Sequence, residues 1–305
     1  MRTAAILIAS TLALAAAGCG DGGGSGDGGE VGVVATTAIA GDIARNVGGE
    51  RADLDVLVPA DADPHDHEPR PSDAVALAEA DLVLRSGGEI DEWLGDLIDN
   101  AGGDAEEVTL LDSVKSIEGE SGEVDPHWWQ DPRNAILAAE GVRDALAEAD
   151  PGGRRGYARN ADAYVRELRA LDTEIERCMR RVPSEKRKIV TTHDSLGYFA
   201  ERYDVEVIGS VIPSLSTQAQ PSARDVDALV DQIGDEGVEA VFPEAAVSQR
   251  LEQAIASESG AEVGEELWTD SLGDEGSGAE TYVDAMRANT RALAEGMSGG
   301  RVSCR

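Results

Sequence analysis

The segment that most narrows the possible folds is Arg154 to Val182. It contains no proline, and its only glycine is Gly156. Tyr157, Ala161, Tyr164, Leu168, Leu171, Ile175, Met179 and Val182 recur at steps of three or four, which puts one apolar stripe on one long helix. At 1.5 Å per residue such a helix is about 40 Å long. On both sides of it, short β-branched or apolar runs alternate with helical stretches. Before it come Val31 to Thr36, Ala52 to Val58, Leu82 to Leu84 and Val108 to Leu111, with Ser72 as a candidate helix cap and Asp131-Pro132 opening a helix that runs to Ala149. After it come Lys188 to Thr192, Val205 to Val211 and Val238 to Phe242, with Ser222 capping one helix and Glu280 to Met297 forming the last. Alternation at this interval predicts βα units and parallel sheets. The expected fold is therefore α/β: two parallel-sheet lobes, residues 31–150 and 184–305, joined by one rigid helix within 151–183.

The N-terminal end reads differently. Met1-Arg2 precede an apolar run, Ala4 to Ala17, that is too short to span a bilayer, where about 20 apolar residues are needed. It has the length of a signal-peptide core followed by small residues. Ala16-Ala17-Gly18-Cys19 resembles the bacterial lipobox, in which the cysteine is lipidated. Residues 1–18 are then a lipoprotein signal peptide, Cys19 the lipid anchor, and 19–30 a Gly-rich tether of the kind that behaves as a flexible coil. This places the folded body outside the cytoplasmic membrane, where thiols oxidise. Cys178 and Cys304 are the even pair left over, and a disulfide between them is the default expectation. A formal charge of −34 excludes a nucleic-acid partner on electrostatic grounds.

The chain has four histidines, and three follow predicted strands. His65 lies in Asp63-Pro64-His65-Asp66-His67, His127 in Asp125-Pro126-His127-Trp128-Trp129, and His193 in Thr191-Thr192-His193-Asp194-Ser195. In open α/β sheets ligands bind beyond the carboxyl ends of the strands. Neutral imidazole is the commonest metal ligand, and the proline before two of these histidines stiffens the backbone that presents the ring.

On these stretches the chain resembles the metal-binding lipoproteins of zinc and manganese ABC importers. Further matching stretches are Pro71-Ser72-Asp73, Gly197-Tyr198-Phe199, Ile212 to Thr217 and Trp268-Thr269-Asp270-Ser271-Leu272-Gly273, so the likeness extends over nearly all of the chain from Val31 onward. The resemblance implies that His65, His127, His193 and Asp270 hold one transition-metal ion between the lobes. It implies capture of that ion and its delivery to a permease driven by an ATPase, by a monomer that is not an enzyme. Three imidazoles and a carboxylate suit Zn²⁺. In the family, histidine at the third position is typical of zinc members and glutamate of manganese members, so His193 favours Zn²⁺ with Mn²⁺ as the alternative. Lys115 to Val124, where many zinc members carry a His-rich loop, is short and acidic here. His67 and Glu244 are candidates for orienting the ligands rather than binding the ion. More remote readings are a secreted zinc-dependent hydrolase and a metal-stabilised adhesin.

Overall fold

The computed structural model describes residues 30–119 and 122–304, so the signal peptide, Cys19 and nearly all of the tether lie outside the described residues. The N-terminal half runs β1 (Val31–Ala35), α1 (Ala38–Gly48), β2 (Ala52–Val56), α2 (Pro71–Glu79), β3 (Leu82–Arg85), α3 (Leu94–Ala101), β4 (Glu106–Thr109) and α4 (Pro132–Ala149). Helix α5 (Arg154–Met179) follows. The C-terminal half runs β5 (Lys188–His193), α6 (Gly197–Tyr203), β6 (Glu206–Ile212), α7 (Ala223–Glu236), β7 (Ala240–Phe242), α8 (Arg250–Ser259), β8 (Glu262–Val263) and α9 (Tyr282–Met297).

The two sheets share one topology. Their strand orders are β2-β1-β3-β4 and β6-β5-β7-β8, and every pairing is parallel. In each, the first strand lies between the second and the third. The chain therefore leaves that strand's carboxyl end to opposite sides, which opens a crevice there. Side chains alternate across the strands as a two-residue period requires. Val31, Val33 and Ala35 of β1 enter the main core, whereas Val34 meets Leu77 and Leu94 of the outer helices α2 and α3. In the second sheet Ile189 and Phe242 point inward, and Val190 and Val241 meet α7 and α8.

The main core is continuous through both lobes, and α5 is why. Its buried positions Tyr157, Ala161, Tyr164, Leu168, Leu171, Ile175 and Met179 form the stripe that the sequence spacing predicts. That stripe packs on α1 and α4 of one lobe and on α6 and α9 of the other. A polar tie runs alongside: the buried Asp42 carboxylate of α1 accepts the Tyr282 N–H at the start of α9, at 3.2 Å. The helix is 26 residues long, about 39 Å, and ends at Met179 rather than Val182 because Arg181 and Val182 already turn back on Cys178 and Met179. A disulfide joins Cys178 to Cys304, with Cα atoms 5.8 Å apart, and pins the C-terminal segment to this helix. One expected cap is elsewhere. Helix α2 starts at Pro71, and Arg70 is its cap residue, its N–H received by Asp73 at 2.8 Å, while Ser72 lies inside the first turn. Pro at the first helical position forces that shift, since it needs no partner for a missing N–H. Asp131 and Ser222 cap α4 and α7 as expected.

Leu168 is fully buried at the centre of α5. Leu168→Ala should cost about 2–5 kcal/mol, and because the core is shared, urea unfolding followed by circular dichroism and by tryptophan fluorescence should give one coincident transition.

Candidate metal centre

Four side chains converge in the crevice, one from the end of a strand and three from segments that each follow a different strand. His193 is the last residue of β5, at the point where the second sheet's connections diverge. His65 follows β2 on a single turn of 3₁₀ helix, Pro64–Asp66. His127 follows β4 and immediately precedes the 3₁₀ turn Trp128–Gln130. Asp270 follows β8. One donor atom from each lies within 4.8 Å of the other three. His193 Nε2 is 3.1 Å and His65 Nε2 3.4 Å from Asp270 Oδ2, and His127 Nε2 is 3.6 Å from Asp270 Oδ1.

The two inner histidines are held by carboxylates behind them. Asp125 Oδ1 lies 2.7 Å from His127 Nδ1, and both oxygens of Glu244 lie 2.8 Å from His193 Nδ1. An ionised carboxylate only accepts, so it keeps the proton on Nδ1 and turns Nε2 toward the crevice, the usual arrangement behind a metal-binding imidazole. The two Nε2 atoms face each other at 3.2 Å. In the neutral rings two lone pairs would meet there, which requires a positive charge between them: a proton or a metal ion. Two nitrogens each about 2.0–2.1 Å from a tetrahedral ion lie about 3.3–3.4 Å apart.

The electrostatics follow from this geometry. Burial opposes a charged His193, but Glu244 and Asp270 on either side outweigh it and hold its pKa well above the ordinary histidine value. Burial likewise opposes an ionised Asp270, and His193 and His127 outweigh that, keeping the carboxyl well below its ordinary range. His65 Nε2 and Asp270 Oδ1 are buried with no hydrogen-bond partner. Buried unmet polar atoms cost about 1–3 kcal/mol each, and a cation at the centre would satisfy both while satisfying the facing nitrogens. The donor chemistry therefore fits one divalent transition-metal ion. A cavity of about 10 Å³ bordered by Asp63, Glu244 and Asp270 leaves room for one water-sized occupant beside it.

The repeated Asp-Pro-His has a second meaning beyond the stiffness of proline. In both copies the aspartate carboxylate accepts the histidine's backbone N–H two residues on, at 2.9 Å in each, as short polar side chains do in turns. Asp125 carries no sequence signal beyond its place in that repeat. His67 points away: its ring lies 4.6 Å from that of Trp93, and its Nε2 is 3.4 Å from Asp73. Trp129 stands edge-on to His127 with ring centroids 5.5 Å apart, and its indole N–H donates 2.6 Å to the Thr269 carbonyl. The Gln130 amide donates to the same oxygen at 2.7 Å, and the Tyr282 hydroxyl donates to the Trp129 carbonyl at 2.6 Å. The segments bearing His127 and Asp270 are thus fastened directly to each other.

Comparison with known proteins identifies the family. Residues 33–296 match the family model described as ZnuA, zinc-uptake complex component A, periplasmic. The chain is 35% identical over 290 residues to the manganese-binding lipoprotein MntA of Halalkalibacterium halodurans, covering 94% of this chain and 96% of that one. It is 29% identical over 306 residues to the manganese ABC transporter substrate-binding lipoprotein PsaA of Streptococcus anginosus, covering 97% and 98%. The fold overlays the periplasmic zinc-binding protein TroA of Treponema pallidum with a TM-score of 0.83 at 26% identity, covering 88% of this chain and all of that one. A cadmium-bound periplasmic metal-binding protein of Candidatus Liberibacter asiaticus overlays at 0.80, also at 26% identity, covering 88% and 99%. Family match and fold together make the chain a metal-binding solute-binding protein of the kind that serves ABC importers. The chain belongs to the ZnuA family.

Because His193 holds its proton above the usual range in the metal-free protein, an ion must displace that proton. Apparent affinity should rise about tenfold per pH unit for each proton displaced, and should still be rising above the ordinary histidine value of about 6.5. Calorimetric titration in buffers of different ionisation enthalpy checks this, and a plateau already reached at neutral pH would contradict it.

Proposed function

We propose that His65, His127, His193 and Asp270 are the ligands of the imported ion, that Asp125 and Glu244 orient two of them, and that Mn²⁺ is the physiological cargo. The observation that carries the ligand set is the pair of carboxylate-backed Nε2 atoms meeting at 3.2 Å, with the unpartnered His65 Nε2 and Asp270 Oδ1 beside them. Support for Mn²⁺ comes from relatives: two that share nearly full length with this chain are named for manganese. The stretch from Lys115 to Val124 also carries no histidine with which to gather zinc.

A second reading, Zn²⁺, is favoured by the donor set itself. Three imidazoles and one carboxylate form a four-coordinate closed site of the zinc type, and divalent affinities of such sites place Zn²⁺ above Mn²⁺. Affinity and cargo are therefore separate questions. The isolated protein should bind Zn²⁺ more tightly, and the ion carried in the cell is set by which metal is free outside it. The same reading assigns residues 1–18 to a signal peptide, Cys19 to a lipid anchor and 19–30 to a tether. It sets the monomeric body, with lobes 31–150 and 184–305 about the helix within 151–183, on the outer face of the cytoplasmic membrane. From there it passes the ion to a permease driven by an ATPase.

The test is cellular metal content. Deleting the chain should lower manganese, and added Mn²⁺ should restore growth where added Zn²⁺ does not; a fall in zinc alone would give the cargo to the second reading. On the purified protein, His193→Ala should weaken Zn²⁺ and Mn²⁺ binding by at least about 100-fold, with His67→Ala close to the parent. Stripped with a chelator, the protein should stay folded and rebind, whereas a structural-metal protein would unfold.

A further inference from the structure

The four ligand-bearing segments are not held alike. His193 ends a strand inside the second sheet. His127 and Asp270 are joined through the Thr269 carbonyl. His65 lies on the long connection between β2 and α2; His67 just after its turn rests against Trp93 and Asp73 of the same lobe, but three hydrogen bonds around the turn itself run to the opposite lobe. The Thr217 hydroxyl donates to Asp63 Oδ2 at 2.6 Å, the Gln218 amide donates to the His65 carbonyl, and the Asp61 N–H donates to the Leu272 carbonyl at 2.8 Å. Asp63 uses its other oxygen for the His65 N–H at 2.9 Å. One carboxylate thus links the backbone of His65 to a hydroxyl on the segment after β6. The contrast with the second Asp-Pro-His is direct: there Asp125 Oδ1 grips the imidazole itself, at 2.7 Å.

We propose that Thr217, assisted by Gln218, is a positioning residue for His65: a latch from the C-terminal lobe that keeps the Pro64–Asp66 turn over the ion and sets the rate at which the ion leaves. The inference rests on His65 being a ligand. A hydroxyl-to-carboxylate bond near 2.6 Å is of the strong, charge-assisted kind. It fixes the Asp63 rotamer that receives the His65 N–H. Without it the carboxylate is free to turn, the short 3₁₀ turn loses its brace, and His65 is the first donor to swing away. Neither Thr217 nor Gln218 touches the ion, so the effect falls on dissociation more than on association.

The experiment is stopped-flow dissociation of Zn²⁺ into a chelator, on the full folded protein. Thr217→Val keeps the shape and removes the hydroxyl, and should speed dissociation about five- to tenfold with association nearly unchanged. Thr217→Ser keeps the donor and should stay within about twofold of the parent. Gln218→Ala, at an exposed side chain that leaves folding undisturbed, should give about a twofold increase. In a His65→Ala background Thr217→Val should add nothing. An unchanged rate in both Thr217→Val and Gln218→Ala overturns the latch, and so does an equal acceleration with and without His65, which would mark general loosening of the lobes. If His65→Ala alone leaves Zn²⁺ affinity unaltered, the ligand reading fails instead, and the two failures are thereby distinguished.

Discussion

The arrangement on which the site depends is a repulsion. His127 and His193, each with a carboxylate at its back, turn their Nε2 atoms toward one another at 3.2 Å. Neutral, that pair is unstable, and the protein leaves it two remedies: a proton or a cation. Asp270 on the open side makes either remedy favourable. In the proposed site an incoming cation takes the place that a proton holds between the two rings. This is how a buried, charged cluster can persist in a protein whose ion is meant to leave. The usual cost of an uncompensated buried charge is avoided in both states.

The fold supplies the rigidity that such opposition demands. His193 is a strand terminus, paired with Ile212 of β6, and its backbone N–H donates to Glu244 Oε1 at 3.1 Å. His127 is followed by two tryptophans with almost no exposed surface, one bonded to Ser86 and the other to Thr269. Helix α5 then gives both lobes one core, so the distance between the two sheets is set by close packing and not by a linker. A lone His₃Asp cluster on flexible loops would relax the 3.2 Å approach simply by drifting apart.

What could be read from the sequence divides along a physical line. Features with a local signature were legible: the stripe of α5 through its three-and-four spacing, the caps Asp131 and Ser222, and three histidines each placed after a strand. Asp270, one acid among sixty, was reached only through the resemblance, because a single carboxylate carries no pattern. Asp125 and Asp63 were visible as letters in a repeat, yet their roles differ in space: one turns to an imidazole and the other to Thr217, 154 residues away in sequence. Contacts of that separation leave no trace in periodicity or composition. The same holds for the joining of Trp129 and Gln130 to Thr269, where two side chains share one backbone oxygen. The misplaced cap at Ser72 is the milder case, a local rule overridden by a neighbouring local rule at Pro71.

That shared carbonyl has a consequence for the order of events. With His127 and Asp270 fastened together from opposite lobes, two donors stand ready before any ion arrives, and His193 joins them from the sheet without moving. On the proposed ligand set an incoming cation meets a tridentate cup, and much of the chelate's entropy has been lost already, during folding. The fourth donor, His65, already lies 3.4 Å from Asp270, but its turn is braced from the opposite lobe through Thr217 and Gln218. Arrival and retention are thereby separated: the cup governs how readily an ion is caught, and a single imidazole on a short turn governs how long it stays.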